Sequence, residues 1–284
     1  MENPFILSPY AEKLLFCDRE TELNSLMELV TNGVNVTLIS PRRMGKTGLI
    51  YRFFDEIFIK KFEIETFYVD IYATQTIDDF IKIFSENIIQ SLQKKTSMLK
   101  KAMKVFSGVK PVLSFYERTG NPQLSLTYNN NDEKMQTLRS IFDFLENYGK
   151  RVIVAFDEFQ QIREYAGINM EAVLRTYIQP LKNVNFIFCG SKKHLMFDIF
   201  ANARNPFYAS TSYVYLDKID EEKYAEFIQC RFSEHGKTIE HNAVDFILNF
   251  TKRHTFYTQS LCHFVFQHSK RLVNLQFVKE EAAK

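Results

Sequence analysis

The sequence predicts an α/β fold: a mostly parallel five-stranded sheet with helices on both faces, then a smaller helical region. Three observations carry this. Short apolar runs alternate with segments of helical periodicity over the first three quarters of the chain. One intervening segment alternates apolar and polar residues about a turn signal. Beyond Asp217 only helical periodicity remains.

The elements follow in order. "VNVTLIS" (Val34 to Ser40) is a buried-strand run ending in Ser-Pro, and "KTGLIYRFFDEIFIKKF" follows with Leu49, Ile50, Phe53, Phe54, Ile57 and Phe58 at helical spacing. "TFYVDIY" (Thr66 to Tyr72) is a second strand, and the helix after it starts at Thr76 or Asp78. "RVIVAFDEF" (Arg151 to Phe159), "VNFIFCG" (Val184 to Gly190) and "SYVYLDKI" (Ser212 to Ile219) complete five strands. Around 110–130, "KPVLSFYERTGNPQLSLTYNNN" alternates on either side of Thr119-Gly120-Asn121-Pro122, a β-hairpin pattern inserted before the third core strand. "DEEKYAEFIQCRFSEHG", "EHNAVDFILNFTKRH" and "FYTQSLCHFVFQHSKRLV" are the helices of the last region. The expected division is a core over 1–217 and a helical domain over 218–284.

Composition bounds the function. The chain has 284 residues, 45% apolar and 25% charged, which is enough to bury a sizeable core. With 28 Phe, 14 Tyr and no Trp, the aromatic excess points to a Phe-filled core. A net charge of +2 is too small for the general attraction to phosphate backbones that dominates nucleic-acid binding. Cys17, Cys189, Cys230 and Cys262 show no Cys-x-x-Cys spacing, so reduced thiols in a cytoplasmic protein are expected. "MENPFILSPYAEK" is not a signal peptide, and no stretch is long and apolar enough to span a bilayer.

The chemistry starts at "SPRRMGKT". Gly-Lys-[Ser/Thr] alone arises by chance in roughly one chain in seven of this length, so its context decides. A buried-strand run enters this loop and an amphipathic helix leaves it at Lys46, which aims backbone N–H groups and the positive end of the helix dipole at phosphate. The cradle is then Ser40, Pro41, Arg42, Arg43, Met44, Gly45, Lys46, Thr47 and Gly48. Lys46 reaches the β- and γ-phosphates and the Thr47 hydroxyl ligates Mg²⁺. Ser40 stands where such loops usually begin with glycine. The alternative is an ordinary strand-to-helix turn with an exposed lysine.

A second half-site ends "VIVAFDEF". Adjacent carboxylates at the end of a buried strand are costly unless a cation meets them. In the phosphate-loop class the first such carboxylate holds Mg²⁺ and the second can polarise the attacking water, roles that would fall to Asp157 and Glu158. A solvated Asp-Glu turn is the alternative, and it loses weight because the loop and this pair both fall at the ends of the expected strands. "VNFIFCGSKK" ends a third strand at Gly190-Ser191, and Ser191 is a candidate to sense the γ-phosphate or the water. Its other reading is a small residue at a strand end.

These residues resemble the archaeal- and bacterial-type ATPases of the STAND group, within the AAA+-like class of P-loop NTPases. "FCDRETEL" (Phe16 to Leu23) is similar to the family's Phe-x-Gly-Arg-Glu-x-Glu motif, with Asp18 at the glycine. "SPRRMGKTGLI" is similar to its Pro-Arg-Arg-x-Gly-Lys-Thr loop, and "VIVAFDEFQQI" to its Asp-Glu strand with a following Gln. The resemblance implies a P-loop NTPase three-layer core with strand order 5-1-4-3-2, ATP with Mg²⁺, a helical lid, and Phe16 and Arg19 near the adenine. It also implies nucleotide-driven switching read by a regulatory protein partner or a homo-oligomer. Three further positions depart from the family. Ser210 stands where members often carry an Arg, with Arg204 just upstream, and Arg253 and Thr255 replace the Gly and Pro of a Gly-x-Pro lid motif. No downstream winged-helix or partner-binding domain is visible in the sequence.

Other constellations carry less. The five lysines of "KKTSMLKKAMK" (Lys94 to Lys104) fit a solvated helix face whose Met98, Leu99, Ala102 and Met103 turn inward. Cys262, His263 and His268 lack metal-site spacing, and no Gly-x-Ser-x-Gly elbow is present. The function expected from sequence is an ATP-binding ATPase that hydrolyses slowly to drive a switch, with Glu158 as base and Lys46 as charge clamp. The alternatives are a non-hydrolysing nucleotide-binding scaffold and a nucleic-acid-dependent ATPase.

Overall fold

A computed structural model describes residues 3–7, 16–106, 112–115, 122–125 and 130–284. In chain order the elements are α1 (Glu20–Thr31), β1 (Val36–Ile39), α2 (Lys46–Ile59), β2 (Ile64–Asp70), α3 (Ile77–Ser91), α4 (Thr96–Phe106), β3 (Val112–Phe115) and β4 (Pro122–Ser125). Then come α5 (Asn131–Glu146), β5 (Arg151–Asp157), a 3-10 turn (Phe159–Glu164), α6 (Met170–Ile178), β6 (Val184–Gly190), α7 (Lys193–Ala201) and β7 (Ser212–Tyr215). The last stretch holds α8 (Glu221–Glu234), β8 (Thr238–Ile239), α9 (His241–Phe250), α10 (Thr255–His268), β9 (Leu272–Val273) and α11 (Leu275–Ala282).

The main sheet has five strands in the order β2-β5-β6-β1-β7. Counted in chain order this is 5-1-4-3-2 from the other edge, as the family resemblance implied. β1 with β6, β6 with β5 and β5 with β2 all pair in parallel. Every residue of β1 and β6 is buried, and β5 is buried from Val152 to Asp157. Parallel strands covered on both faces read as continuous apolar runs, which is why these three were legible. Their register places Ile39 opposite Gly190 and Asp70 opposite Asp157, so the carboxyl ends of β1, β6, β5 and β2 share one edge of the sheet.

Cα packing divides the chain into two compact units. One takes Leu26–Ile39 and Ile57–Val214; the other takes Met1–Ser25, Ser40–Glu56 and Tyr215–Lys284. The first contains the sheet, and its core is built on phenylalanine as the composition indicates. Phe156 and Phe186 stack with centroids 6.1 Å apart and planes 2° from parallel, Phe188 stacks on Phe186 at 5.7 Å, and Phe159 closes on Phe188 at 4.5 Å. This block fixes the ends of β5 and β6, where the candidate carboxylates and serine lie.

Local chemistry sets the element ends. Thr76 caps α3: Asp79 N–H donates to Thr76 Oγ1 at 3.2 Å, and Asp79 Oδ2 accepts the Thr76 backbone N–H at 3.0 Å, a reciprocal capping box. In α4, Met98, Leu99 and Ala102 pack on the core while Lys100, Lys101 and Lys104 stay exposed, as do Lys94 and Lys95 just before the helix. Lys95 pairs with Glu65, and Lys101 donates to the Asn147 carbonyl at 2.9 Å. The helix-face reading of the lysine run holds. β3 and β4 form the expected antiparallel hairpin; its turn, Thr119 to Asn121, lies outside the described residues.

Three expectations are corrected. Phe58, read at helical spacing with the apolar residues of α2, is 81% exposed; it falls in the last turn of the helix. The fifth strand ends at Tyr215, short of Ile219. The region past Asp217 is not purely helical: β8 and β9 pair in parallel, Thr238 with Leu272 and Ile239 with Val273. Two residues per strand are too few to register as a period.

The second unit has its own core, in which Phe5, Tyr224, Ile228, Phe232, Cys262 and Phe266 are all buried. Asp220 caps α8 by accepting the N–H groups of Glu222 and Lys223, and Gly236 at φ 72° follows its end. All four cysteines are free thiols. Burial, with Asp18 adding to it, pushes the Cys17 thiol up to about 12, and burial raises Cys262 as well. No helix among the described residues is long and apolar enough to cross a membrane.

Candidate functional site

The chain runs from Ile39, the last residue of β1, directly into Ser40, and α2 begins at Lys46. The six residues between are a tight loop with left-handed backbone at Arg43 (φ 61°) and Gly45 (φ 93°). Ser40 has no positive φ; it is buried, and its hydroxyl donates to the Pro41 carbonyl at 3.0 Å. The first loop position therefore needs a small side chain and not a left-handed one, which serine satisfies. Met44, Lys46 and Gly48 are buried, Gly45 and Thr47 half-buried, and Pro41, Arg42 and Arg43 exposed.

The start of α10, in the same unit, holds this loop from one side. His254 Nε2 lies 3.1 Å from the Arg42 carbonyl, the Phe256 N–H donates to the Arg43 carbonyl at 3.2 Å, and Thr255 Oγ1 donates to the Met44 carbonyl at 3.2 Å. The Arg43 guanidinium stacks 4.5 Å over the Phe256 ring. Three consecutive carbonyls are thus turned toward α10. In a trans peptide the C=O and the following N–H point in opposite directions, so the N–H groups of Arg43, Met44 and Gly45 face away from α10. With left-handed residues interspersed, that is the arrangement of a backbone anion cradle.

The N-terminal motif lies in the same unit. Phe16 is half-buried and Arg19 is 4% exposed. Asp18 and Arg19 have φ of 56° and 77°. Asp18 therefore keeps the backbone conformation that the family's glycine would favour. Burial tends to raise the Asp18 carboxyl, but hydrogen bonds led by the Lys223 ammonium at 2.7 Å hold it below the usual aspartate value. Arg19 Nη1 pairs with Glu22 at 2.9 Å, while its Nη2 is buried with no hydrogen-bond partner among the described residues.

The sheet unit carries the carboxylates. Asp157 ends β5 at 4% exposure; its Oδ2 accepts the Tyr68 hydroxyl at 2.6 Å, and its Oδ1 accepts the Glu158 N–H at 2.9 Å. Glu158 follows in left-handed conformation (φ 55°, ψ 42°), which turns the chain sharply into the 3-10 turn. Its Oε2 accepts both the Ser191 hydroxyl at 2.7 Å and the Gln160 amide at 2.5 Å. β6 lies between β1 and β5, so Ser191, the residue after β6, meets the residue after β5. Asp157, Glu158 and Ser191 are brought together; Tyr68 and the role of Gln160 were not read from sequence. Tyr68 occupies an unremarkable place in an alternating strand, and only the pairing of β2 with β5 shows what it faces.

Other residues weighed from the sequence lie elsewhere in the fold. His263 Nδ1 lies 2.7 Å from the Phe5 carbonyl, and His268 Nδ1 lies 2.9 Å from Glu281 Oε2. The Ser210 hydroxyl donates to the Phe207 carbonyl at 2.6 Å, and Arg204 is exposed. Arg253 has φ 56°, so like Asp18 it keeps left-handed backbone where the family has glycine.

Among curated proteins none matches the sequence. Solved structures do. A Walker-type ATPase of Pyrococcus abyssi superposes with a TM-score of 0.70 at 20% identity, covering 98% of this chain and 75% of that one. The Aeropyrum pernix ORC1 protein, determined in complex with DNA, gives 0.64 at 12% identity over 99% and 69%. The RuvB Holliday-junction branch-migration motor of Thermotoga maritima gives 0.55 at 12% identity over 98% and 72%. At these identities the likeness establishes the P-loop NTPase fold. A model of ATPase domains found predominantly in Archaea matches residues 16–251. With that match over most of its length, the chain belongs to this family of ATPase domains, built on the P-loop NTPase fold.

Proposed function

We propose that this domain hydrolyses ATP with Mg²⁺, slowly, and uses the nucleotide as a conformational switch of the STAND kind. The observation that carries the reading is the bond from Ser191 to Glu158. A strand-end hydroxyl and a strand-end carboxylate meet at the sheet edge from which the phosphate loop departs, and their chemistry suits control of a water molecule.

The residues fit the groups assigned to them. The N–H groups of Arg43, Met44 and Gly45, turned away from α10, suit a polyphosphate, and buried Lys46 adds a positive charge. Arg19 Nη2 and half-buried Phe16 suit the nucleoside end. Hydroxyl and carboxylate oxygens of Thr47 and Asp157 are the hard donors that Mg²⁺ takes beside phosphate oxygens. Among the described residues no cluster of three or more His, Cys, Asp or Glu offers a self-contained metal site. Bound Mg²⁺ would neutralise charge on the β- and γ-phosphates.

In the proposed step Glu158 accepts a proton from water as the water oxygen bonds to the γ-phosphorus. The bond from that phosphorus to the β,γ-bridging oxygen breaks, giving ADP and phosphate. A positioned base of this kind contributes on the order of 10²- to 10⁴-fold. Residues 218–284 are read as the lid. The hold of His254, Thr255 and Phe256 on the loop carbonyls supports a coupling of lid position to phosphate binding.

The test is ATP binding and turnover with Mg²⁺ for the wild type, Lys46→Ala and Glu158→Gln. Turnover by the wild type, binding without turnover by Glu158→Gln, and neither by Lys46→Ala are expected. Binding without any turnover would replace this reading with a nucleotide-gated scaffold. The DNA complex of the similar Aeropyrum pernix ORC1 motivates adding DNA to the assay. Stimulation that falls steeply with salt would indicate a nucleic-acid-dependent enzyme.

A further inference from the structure

Glu158 Oε2 is the meeting point of two donors, Ser191 Oγ at 2.7 Å and Gln160 Nε2 at 2.5 Å. A carboxylate only accepts hydrogen bonds, so the orientation of the Gln160 amide is settled by chemistry: its NH₂ faces Glu158 and its carbonyl faces away. That carbonyl oxygen is buried and has no hydrogen-bond partner among the described residues, and the whole residue is 3% exposed. An unpaired buried acceptor opposes folding. An apolar side chain of similar length would avoid this.

The neighbouring strand also makes room for the amide. A Cβ placed on Gly190 would collide with Gln160 Oε1 and with the Met196 side chain. φ at Gly190 is not positive, so here glycine serves close approach and not a turn. The left-handed Glu158 sets the chain direction that lets a residue two positions later reach back to its carboxylate. Gly190, Glu158 and the 3-10 turn all serve to place one amide on one oxygen.

We infer that Gln160 is a positioning residue that fixes the Glu158 carboxylate for proton transfer from water. It stays in place when Ser191 turns to the γ-phosphate. The Ser191 hydroxyl has one proton and cannot donate to Glu158 and to a phosphate oxygen together. Gln160 has no such competing role, so it keeps the carboxylate oriented at the moment the serine leaves. This rests on the reading of Glu158 as base.

The test uses the full chain as wild type, Gln160→Met, Glu158→Ala and the double variant, with kcat, ATP affinity and thermal midpoint measured for each. Gln160→Met is expected to lower kcat about tenfold or more, with ATP affinity unchanged within about twofold and no fall in midpoint. In the Glu158→Ala background it has no further effect on residual turnover. An unchanged kcat overturns the inference. So does a fall in midpoint and ATP affinity together, which would make Gln160 merely structural. If Glu158→Ala turns over at the wild-type rate, the assignment of the base fails instead. A second measurement stands whether or not ATP is hydrolysed. The Gln160 side-chain amide, observed by NMR in protein labelled with ¹⁵N-glutamine, should shift markedly on Glu158→Ala; an unmoved signal shows that the bond is absent.

Discussion

The hydroxyl of Tyr68 donates to Oδ2 of Asp157 at 2.6 Å, from β2 to the end of the neighbouring β5. Asp157 is almost wholly buried, so its charge depends on such donors. Tyr68→Phe removes the donor and keeps the ring. A hydrogen bond to a charged group contributes roughly 1.5–3 kcal/mol, and a loss of stability of that order is expected on urea unfolding. Unchanged stability would mean that the tyrosine is not a partner of Asp157 in solution.

Two residues occupy family glycine positions with left-handed backbone, and they should respond differently to glycine. Arg253→Gly relieves a conformational cost of about 1–2 kcal/mol and gives up only a 3.3 Å bond to the Ile219 carbonyl and a loose exposed pair with Glu221. A gain of about 0.5–1 kcal/mol is expected. Asp18→Gly gains less, because aspartate tolerates this backbone, and it loses the Lys223 contact. Equal gains at the two sites would contradict this account.

Thr255 Oγ1 is one of three groups that hold the phosphate-loop carbonyls. Thr255→Ala deletes one neutral hydrogen bond, about 0.5–1.5 kcal/mol, and ATP affinity should fall by roughly two- to tenfold, while Thr255→Ser stays near wild type. Calorimetric titration with ATP separates them; indistinguishable affinities would show that the grip of α10 does not bear on phosphate binding.

Acid should weaken the start of α3. Burial tends to raise the Asp79 carboxyl, but the Gln75 N–H, the Thr76 hydroxyl and the Thr76 N–H outweigh it and hold the group below its ordinary value. A depressed folded-state pKa stabilises fully above the unfolded value, about 3.9, and the contribution is lost as pH falls through the folded value. Wild type should therefore exceed Asp79→Asn in stability at neutral pH, and the two should converge below about pH 3.9. A gap that persists in acid would place the benefit elsewhere than in the carboxylate.

Much of the sheet was legible because its strands are buried on both faces. The runs at Val36–Ile39, Arg151–Asp157 and Val184–Gly190 are mostly apolar and almost wholly buried, and the polar residues at their ends, Ser40, Asp157-Glu158 and Ser191, stand out against them. The loop stood out because phosphate binding ties small, cationic and hydroxyl residues to a fixed spacing before a helix. Phe58 is exposed although it keeps the helical spacing, because periodicity marks a face and not how far along the helix that face is buried. β8 and β9 were missed because two residues carry no period.

The sequence by itself determined the fold class, the strand order through a family resemblance, and the residue types at the phosphate loop and the carboxylate strand. These are properties of short contiguous stretches, where spacing fixes which side chains share a face. Tertiary structure alone decided that Tyr68 serves Asp157 and that Gln160 and Ser191 share one oxygen of Glu158. It also decided that His254, Thr255 and Phe256 hold the carbonyls of Arg42, Arg43 and Met44. Each of these bonds joins atoms that come within 3.2 Å only once strands are registered or helices packed, and an acceptor chosen in space leaves no mark on the spacing of the chain.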